Sequence, residues 1–292
     1  MKLSIEELLN FNRQGLVPGP SEQEEDFLTR CRYCLSLKAN IKEQIPYLPD
    51  ESSSEAILNE AFAKTKSLYD IEPTWIPLFF SNYKLSPWHG GCAWIFQQEE
   101  NSPTGAFFQL RQAFRNSDTY LGLYHRDELI EHELVHVGRM KFEEPQFEEL
   151  LAYKASRSKW RRYFGPLIQA PWESALFAFT LLVIFILDLS LIAMGSSQIY
   201  QSLLWLKLIP LTLILYALAR VAWRQKQMRE CLNKLIQAVD DSKKANAILF
   251  RLQDKEIKSF GKMTKEEIWK YVLQQKENSL RWKVISEAYF RD

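Results

Sequence analysis

Two of the chain's four histidines, His132 and His136, lie four residues apart on a predicted helix. That spacing brings both imidazoles to one face of the helix, where they can bind the same metal ion. Glu133 follows the first histidine, completing an HExxH pattern. Its carboxylate is placed to take a proton from a metal-bound water that attacks a carbonyl. We therefore identify the two histidines as metal ligands and Glu133 as the catalytic general base.

A third metal ligand is expected from the helix predicted downstream of this motif. Glu149 begins a Glu-x-x-Ala pattern there, and the 12 residues between His136 and Glu149 allow a turn and a return helix. Two imidazoles and one carboxylate leave the fourth position of a Zn²⁺ ion open, as a catalytic zinc site requires. Glu148 is an alternative ligand, because an error of one residue in the helix phase exchanges the two glutamates.

The HELVH segment followed by a Glu-x-x-Ala helix resembles the gluzincin group of zinc metallopeptidases. The resemblance covers roughly residues 52–160. It implies hydrolysis of a peptide or protein substrate with Zn²⁺ as the cofactor. It also implies that the two motif histidines and Glu149 bind the zinc while Glu133 acts as the base.

The same resemblance implies further parts of the machinery. In gluzincins an extended peptide lies along the outermost strand of the sheet, and residues 105–111 are our candidate for that edge strand. A tyrosine or histidine stabilises the oxyanion of the tetrahedral intermediate. Tyr153 is our first candidate for that role, with His89, Tyr271 and Tyr289 as alternatives.

Other polar residues around the motif helix are given structural roles. Asp127 is expected to cap the start of the helix. Glu128 and Glu131 are expected to be solvated acids. His125 is interpreted as a surface or supporting histidine rather than a ligand.

Two apolar runs later in the chain predict a transmembrane hairpin. Residues 174–194 contain a single charge, residues 203–223 are similarly apolar, and the segment between them is short and uncharged. About 20 apolar residues are enough for a helix to cross the hydrocarbon core of a bilayer. Asp188 and Lys207 fall toward the outer loop, so we expect them to form an ion pair that clasps the two helices.

The flanks of the hairpin predict its orientation. Apart from Lys207, lysine and arginine residues lie at the outer ends of the two apolar runs or beyond them, and the connecting loop has neither. The positive-inside rule then places both termini and the catalytic domain in the cytoplasm of an integral membrane protein. The basic and aromatic stretch over residues 159–164 is also suited to contact anionic lipid. The basic flanking residues are Arg157, Lys159, Arg161 and Arg162 before the first run, and Arg220, Arg224, Lys226 and Arg229 after the second.

These elements together predict an α+β protein. A zincin-like catalytic domain of a small sheet plus helices is expected between a helical N-terminal region and the two-helix transmembrane hairpin, and a helical cytoplasmic region follows. The predicted domains are residues 1–50, 51–165, 172–223 and 224–292.

Short aromatic segments predict three or four strands of the sheet. The predicted strands are residues 75–81, 91–97, 105–111 and 119–124. The motif helix is expected to end near Arg139, and Pro145 is expected to open a helix that continues to about Trp160. Capping boxes at Ser4 with Glu7 and at Thr264 with Glu267 predict helix starts near the two ends of the chain.

Charge and cysteine content narrow the functional classes. The net charge of +1 gives no global field that would attract nucleic acid, and no nucleic-acid partner is expected. Cys31 and Cys34 form a CxxC pair without a second pair nearby. We interpret them as two small buried thiols in a helix from Glu22 to about Lys38, with a redox dithiol as the alternative.

A second functional class remains open from the sequence. The chain is alternatively a membrane scaffold or interaction protein whose metal site is vestigial or structural, or a membrane-linked zinc sensor without turnover. Metal content and peptide hydrolysis separate these classes. The sequence does not predict an oligomeric state.

Overall fold

The computed structural model of this chain is mostly helical, as the apolar and capping patterns predict. The structure describes residues 3–44, 55–97, 102–122, 124–195 and 197–291. The predicted domain boundary at residues 50 and 51 lies outside the described residues. The α-helices are α1 (Ile5–Arg13), α2 (Glu24–Gln44), α3 (Glu55–Tyr69), α4 (Arg126–Gly138), α5 (Pro145–Lys154), α6 (Lys159–Phe164), α7 (Pro171–Ala193), α8 (Ser197–Ser202), α9 (Leu208–Val239), α10 (Ser242–Phe250), α11 (Asp254–Phe260), α12 (Lys265–Gln275) and α13 (Leu280–Tyr289). With the small sheet described next, the α+β class is confirmed.

A three-stranded sheet precedes the motif helix. Its strands β1 (Leu78–Phe80), β2 (Gly91–Phe96) and β3 (Gly105–Leu110) are arranged in the order β1-β3-β2, with β1 parallel and β2 antiparallel to β3. β1 is shorter than the strand predicted over residues 75–81, since Pro77 has no N–H to donate to a ladder. The sheet is therefore small and has β3 at its centre.

The prediction that residues 105–111 form the edge strand is wrong. All six residues of β3 are buried, as in a strand that is covered on both faces. β1 and β2 are the two edge strands instead, and the Trp94 and Ile95 side chains of β2 are 37% and 43% exposed. The one polar side chain of β3, Gln109, accepts a hydrogen bond from Trp94 Nε1 (2.8 Å) and donates one to the carbonyl oxygen of Ser81 (3.1 Å).

The fourth predicted strand, residues 119–124, does not join this sheet. It is interrupted by a turn in which Leu121 and Gly122 have φ values of 55° and 64°. Its two ends pair with each other as β4 (Thr119–Tyr120) and β5 (Tyr124–His125), a separate antiparallel hairpin directly before α4.

The motif helix α4 lies between two hydrophobic clusters. Ile130, Leu134 and Val137 pack into the cluster that contains the three-stranded sheet. Val135, on another face, packs into the cluster formed by the C-terminal helices. Two buried faces fix the rotation of α4 about its axis, and the remaining face carries the two motif histidines.

The end of α4 is fixed by the C-terminal part of the chain. A Cβ atom at Gly138 would lie 2.7 Å from Cζ of Phe250, so only glycine permits this approach. The buried Arg139 donates hydrogen bonds to the carbonyl oxygens of Phe250 and, at 3.1 Å, Leu252. The C-terminal helices therefore hold the motif helix at the point where the chain turns toward α5.

Helix α5 begins at Pro145 as predicted, but it ends at Lys154 rather than near Trp160. The chain turns after Lys154 and starts α6 at Lys159. No side chain adjacent in sequence caps the start of α5. Instead, the Asp254 carboxylate, at the start of α11, accepts a hydrogen bond from the Gln146 N–H at 3.0 Å. A residue distant in sequence thus supplies the acceptor for a backbone N–H in the first turn of α5.

Buried arginines connect the two ends of the chain. Arg251 donates to Asn12 Oδ1 at 2.7 Å and to the carbonyl oxygen of Tyr69 at 2.8 Å. Arg281 forms a buried pair with Glu256, with Nη2–Oε1 at 2.8 Å and Nη1–Oε2 at 2.9 Å. The predicted N-terminal and C-terminal helical regions therefore pack on the same core as α4.

Two helices are long and apolar enough to cross a membrane, over Trp172–Ala193 and Leu204–Val239. Within their most apolar stretches, 0% and 6% of the residues are buried inside the protein. Exposed apolar surface of this extent is typical of contact with a bilayer or another protein. α9 continues without a break from its apolar half into the core of the C-terminal helices, where Cys231 and Leu235 are buried.

The ion pair between the two apolar segments is confirmed. Lys207 Nζ lies 2.9 Å from Asp188 Oδ2 and donates a hydrogen bond to the Tyr200 hydroxyl at 2.9 Å. Tyr200 belongs to α8, which occupies most of the predicted loop. The three polar groups satisfy one another where the two apolar helices meet.

Cys31 and Cys34 are free, buried thiols on α2, as the structural interpretation predicted. Burial raises the pKa of both thiols, to about 12 for Cys34. A raised pKa disfavours the thiolate that redox exchange requires. The two cysteines act as small apolar residues beneath the sheet.

Removing the carboxylate of Glu256 should strongly destabilise the protein, because it leaves the Arg281 cation buried without a partner. We expect Glu256→Ala to lower the free energy of unfolding by about 3–5 kcal/mol. Urea unfolding of the detergent-solubilised full-length protein measures the effect. Glu277→Ala, at an exposed carboxylate, should change the free energy by about 0.5 kcal/mol or less. Equal effects of the two substitutions would contradict a structural role for the pair.

Candidate metal centre

Helices α4 and α5 bring three metal-binding atoms together. His132 Nε2 and His136 Nε2 are 3.2 Å apart. Glu149 places Oε2 at 3.6 Å from the first and Oε1 at 3.5 Å from the second. Ligand atoms about 2.0–2.2 Å from an ion at tetrahedral angles would be about 3.3–3.6 Å from one another. The three separations fall in this range, with Glu149 facing the two histidines through different oxygens, and the cluster could hold a metal ion.

Glu148 lies on the other side of His136 from Glu149. Its Oε1 is 2.8 Å from His136 Nδ1, so an Nδ1–H can donate to this carboxylate and Nε2 is the nitrogen that would bind a metal ion. A carboxylate in this position fixes the tautomer and the orientation of a metal-binding imidazole. The two neighbouring glutamates, which the sequence left as alternatives, thus occupy different positions around one histidine.

Glu133 is held between the motif helix and the edge strand. Its Oε2 accepts a hydrogen bond from the Ala93 N–H of β2 at 2.9 Å. Burial raises the pKa of this carboxyl, against the charge of His136 and the Ala93 hydrogen bond, which lower it. A raised pKa brings a carboxylate closer to the range in which it exchanges protons near neutral pH.

The two histidines differ in protonation. Burial and the neighbouring His136 lower the pKa of His132 to about 3. Burial also lowers the pKa of His136, but its hydrogen bond to Glu148 and the charges of nearby carboxylates outweigh that effect and raise the pKa to about 9. At neutral pH one imidazole is therefore neutral and the other carries a proton that a metal ion must displace.

Three acids of α4 differ from the prediction. Glu128 and Glu131 are buried, not solvated. Glu128 Oε2 pairs with Arg161 of α6 at 2.9 Å. Burial raises the pKa of Glu131 to about 7. Asp127 is not the N-cap, because α4 begins at Arg126 and His125 caps it without a side-chain hydrogen bond.

The first candidate for an oxyanion-stabilising residue, Tyr153, lies beside the cluster. Its ring centroid is 4.6 Å from that of His132. A Cβ at Gly165 would overlap the Tyr153 ring, 2.3 Å from Cδ1, so the glycine leaves room for the tyrosine. Gly165 carries no sequence signal that would have assigned it this role.

The alternative candidates are engaged elsewhere. Tyr271 donates to Glu256 and Tyr289 to Asp70, both within the helical core. His89 and His125 are exposed, and neither belongs to the cluster of metal-binding groups found among the described residues. Sequence reasoning missed two groups of the site, Arg161 and the Ala93 N–H. In the sequence, Arg161 reads as one more basic residue of the membrane flank, and a backbone N–H gives no residue-specific signal.

No protein-family model, curated protein or solved structure matches this chain. Two imidazoles, a carboxylate and a neighbouring buried acid form an arrangement that can bind a metal ion and exchange a proton next to it.

Separate substitutions of Glu148 and Glu149 test the positions assigned to the two carboxylates. Glu149→Ala removes a ligand atom and should abolish stoichiometric metal binding. Glu148→Gln keeps all three ligands but weakens the orientation of His136, so we expect the metal affinity to fall about 10–100-fold. Metal analysis and competition with a chelator measure the two effects. The assignment is wrong if Glu148→Gln loses the metal completely and Glu149→Ala retains it.

The affinity for a divalent metal ion should depend on pH near neutrality mainly through His136. Its pKa is raised to about 9, so metal binding near neutral pH displaces one proton, whereas the pKa of His132 is lowered to about 3 and contributes none. We expect the affinity to rise about tenfold per pH unit between about pH 6 and 8 and to level off above the pKa of His136. Chelator competition, corrected for the chelator's own protonation, measures the slope. A slope of zero or two would refute this assignment.

Proposed function

We propose that this chain is a membrane-anchored zinc metallopeptidase. The observation that carries the proposal is the convergence of His132, His136 and Glu149, whose metal-binding atoms lie 3.2–3.6 Å apart, with the buried Glu133 one residue after His132. Peptide hydrolysis by a metal-activated water needs this combination of an open ligand set and a neighbouring base.

Zinc fits the residues that would hold the ion. Two imidazole nitrogens and one carboxylate oxygen are a ligand set that Zn²⁺ favours, and they leave one of four positions open. Glu148, which holds the Nδ1–H of His136, completes the support that such a ligand needs. When bound, Zn²⁺ supplies a Lewis acid that polarises a carbonyl and lowers the pKa of water toward about 7.

Glu133 is the general base of the proposed reaction. Its carboxylate accepts the proton of the attacking water and passes it to the leaving amine. Burial raises its pKa, which suits both steps at neutral pH. Tyr153, next to His132, is the side chain of this chain that would stabilise the developing oxyanion.

The proposed substrate is an extended segment of peptide along β2. This strand, rather than the predicted residues 105–111, is the edge of the sheet nearest α4. Its exposed Trp94 and Ile95 offer apolar contacts beside the open strand edge. An edge strand pairs with an extended peptide through main-chain hydrogen bonds, which leave the specificity to such side chains.

Helices α7 and α9 are the proposed membrane anchor. The positive-inside rule orients the hairpin so that both termini and the metal centre lie in the cytoplasm. Because α9 runs unbroken into the C-terminal core, the anchor would keep the active site at a fixed height above the bilayer. The proposed substrates are therefore proteins whose cleavable segments lie close to the membrane surface.

Replacing the base should abolish catalysis without removing the metal. We expect Glu133→Gln to lower the rate of peptide hydrolysis by at least about a hundredfold, because the amide cannot accept the proton. The measurement uses the full-length protein in detergent, a fluorescence-quenched peptide library and a metal assay of the same samples.

Glu143→Gln serves as the matched control, since Glu143 is an exposed carboxylate on the loop between α4 and α5. Its hydrolysis rate should equal that of the unchanged protein. Metal binding without hydrolysis by the unchanged protein would favour the zinc sensor. Absence of both would favour a scaffold with a vestigial site.

A further inference from the structure

A groove of about 460 Å³ lies between α5, α6 and α9, on a different face of α5 from Glu149. Its lining contains four basic side chains and no acidic one. The basic residues are Lys154, Lys159, Arg162 and Arg229. Leu150, Met228 and Leu232 form an apolar floor beneath them. We call this site the basic groove.

The four cations of the basic groove form no ion pair with a carboxylate in the described parts of the chain. Lys154 donates to the amide oxygen of Asn246, and Arg162 donates to the carbonyl oxygen of Arg157 at 3.4 Å. Uncharged acceptors leave both cationic charges uncompensated. An anion in the groove would supply the missing charge.

Cations next to the basic groove but outside it are paired with carboxylates, so the lack of carboxylate partners is confined to the groove. Arg157 pairs with Glu60, Arg161 with Glu128 at 2.9 Å, and Lys226 with Glu230 at 3.9 Å. The sequence presents all these cations as one membrane flank. The structure separates them into a set with carboxylate partners and a set that shares a groove.

The burial of Lys154 is a further observation that favours an anion in the basic groove. Burial lowers the pKa of this lysine to about 8, because the cation loses water without gaining a carboxylate. Lys154 is on α5, whereas Arg229 is on α9. A bound anion between them would bridge two helices that like charges otherwise push apart.

The basic groove lies next to the headgroup layer that the proposed membrane anchor implies. Trp223 of α9 is 61% exposed at the end of the apolar run. At 1.5 Å per residue, Arg229 lies about 9 Å farther along the helix. The polar layer on each side of a bilayer is about 5–8 Å thick, so the backbone of Arg229 lies at its outer boundary and the long side chain can reach back into the layer. Trp160 and Tyr163 of α6 are 67% and 56% exposed, as expected for side chains at this interface.

We propose that the basic groove binds the headgroup of an anionic phospholipid. The cations contact the phosphate, and the apolar floor accommodates the adjoining glycerol and upper acyl carbons. This inference rests on the membrane anchoring proposed above, but not on catalysis, because none of the groove side chains belongs to the metal centre.

Lipid binding to the detergent-solubilised full-length protein tests the inference. Native mass spectrometry counts bound phosphatidylglycerol, with phosphatidylcholine as the neutral comparison. We expect one phosphatidylglycerol per chain, bound at least about tenfold more tightly than phosphatidylcholine. Each cation near a bilayer surface contributes about fivefold to anionic lipid affinity, so Lys159→Gln combined with Arg229→Gln should weaken binding about 25-fold.

Lys226→Gln is the matched control, because Lys226 lies on α9 less than one helical turn from Arg229 but outside the groove. It should leave the affinity unchanged, and the melting temperatures should show that all variants fold. Equal losses in control and double variant would indicate general attraction to the surface and overturn the proposal. The proposal also fails if the double variant binds like the unchanged protein, or if glycerol 3-phosphate binds as tightly as the lipid.

Discussion

The candidate metal centre depends on keeping three carboxyl groups close to one imidazole, that of His136. Glu133, Glu148 and Glu149 all act on His136, and together they raise its pKa against the effect of burial. Carboxylates this close repel one another, and neither α4 nor α5 could keep the arrangement by its own hydrogen bonds. The fold therefore has to fix both helices from outside the site.

That support comes from parts of the chain far from the site in sequence. α4 is fixed between the sheet and the C-terminal helices, with Gly138 against Phe250. The start of α5 is capped by Asp254, more than a hundred residues later. Tyr69 holds the other end of α5 through its hydroxyl, which donates to the Leu151 carbonyl oxygen at 2.6 Å. Because α9 belongs to the same core, one continuous helix connects the apolar hairpin to the helices that support the metal centre.

Features that depend on local spacing could be predicted from the sequence. The capping boxes at Ser4 and Thr264 are both formed, and Pro145 opens its helix as expected. Likewise, i,i+4 spacing places His132 and His136 on one face of α4.

Features that depend on contacts distant in sequence could not be predicted. The edge strand was assigned to the wrong segment, because two apolar strands are indistinguishable until the layer that covers β3 is known. The burial of Glu128 could not be predicted for a similar reason, because its partner, Arg161, belongs to a helix whose position the sequence does not define. The distinct positions of Glu148 and Glu149 also depend on the rotation of α5, which Asp254 and Tyr69 fix from elsewhere. If a peptide pairs with β2 as proposed, it competes with Glu133 for the Ala93 N–H, since that donor lies on the open edge of the strand. Binding of the substrate would then release the base from the strand at the moment when the base is needed.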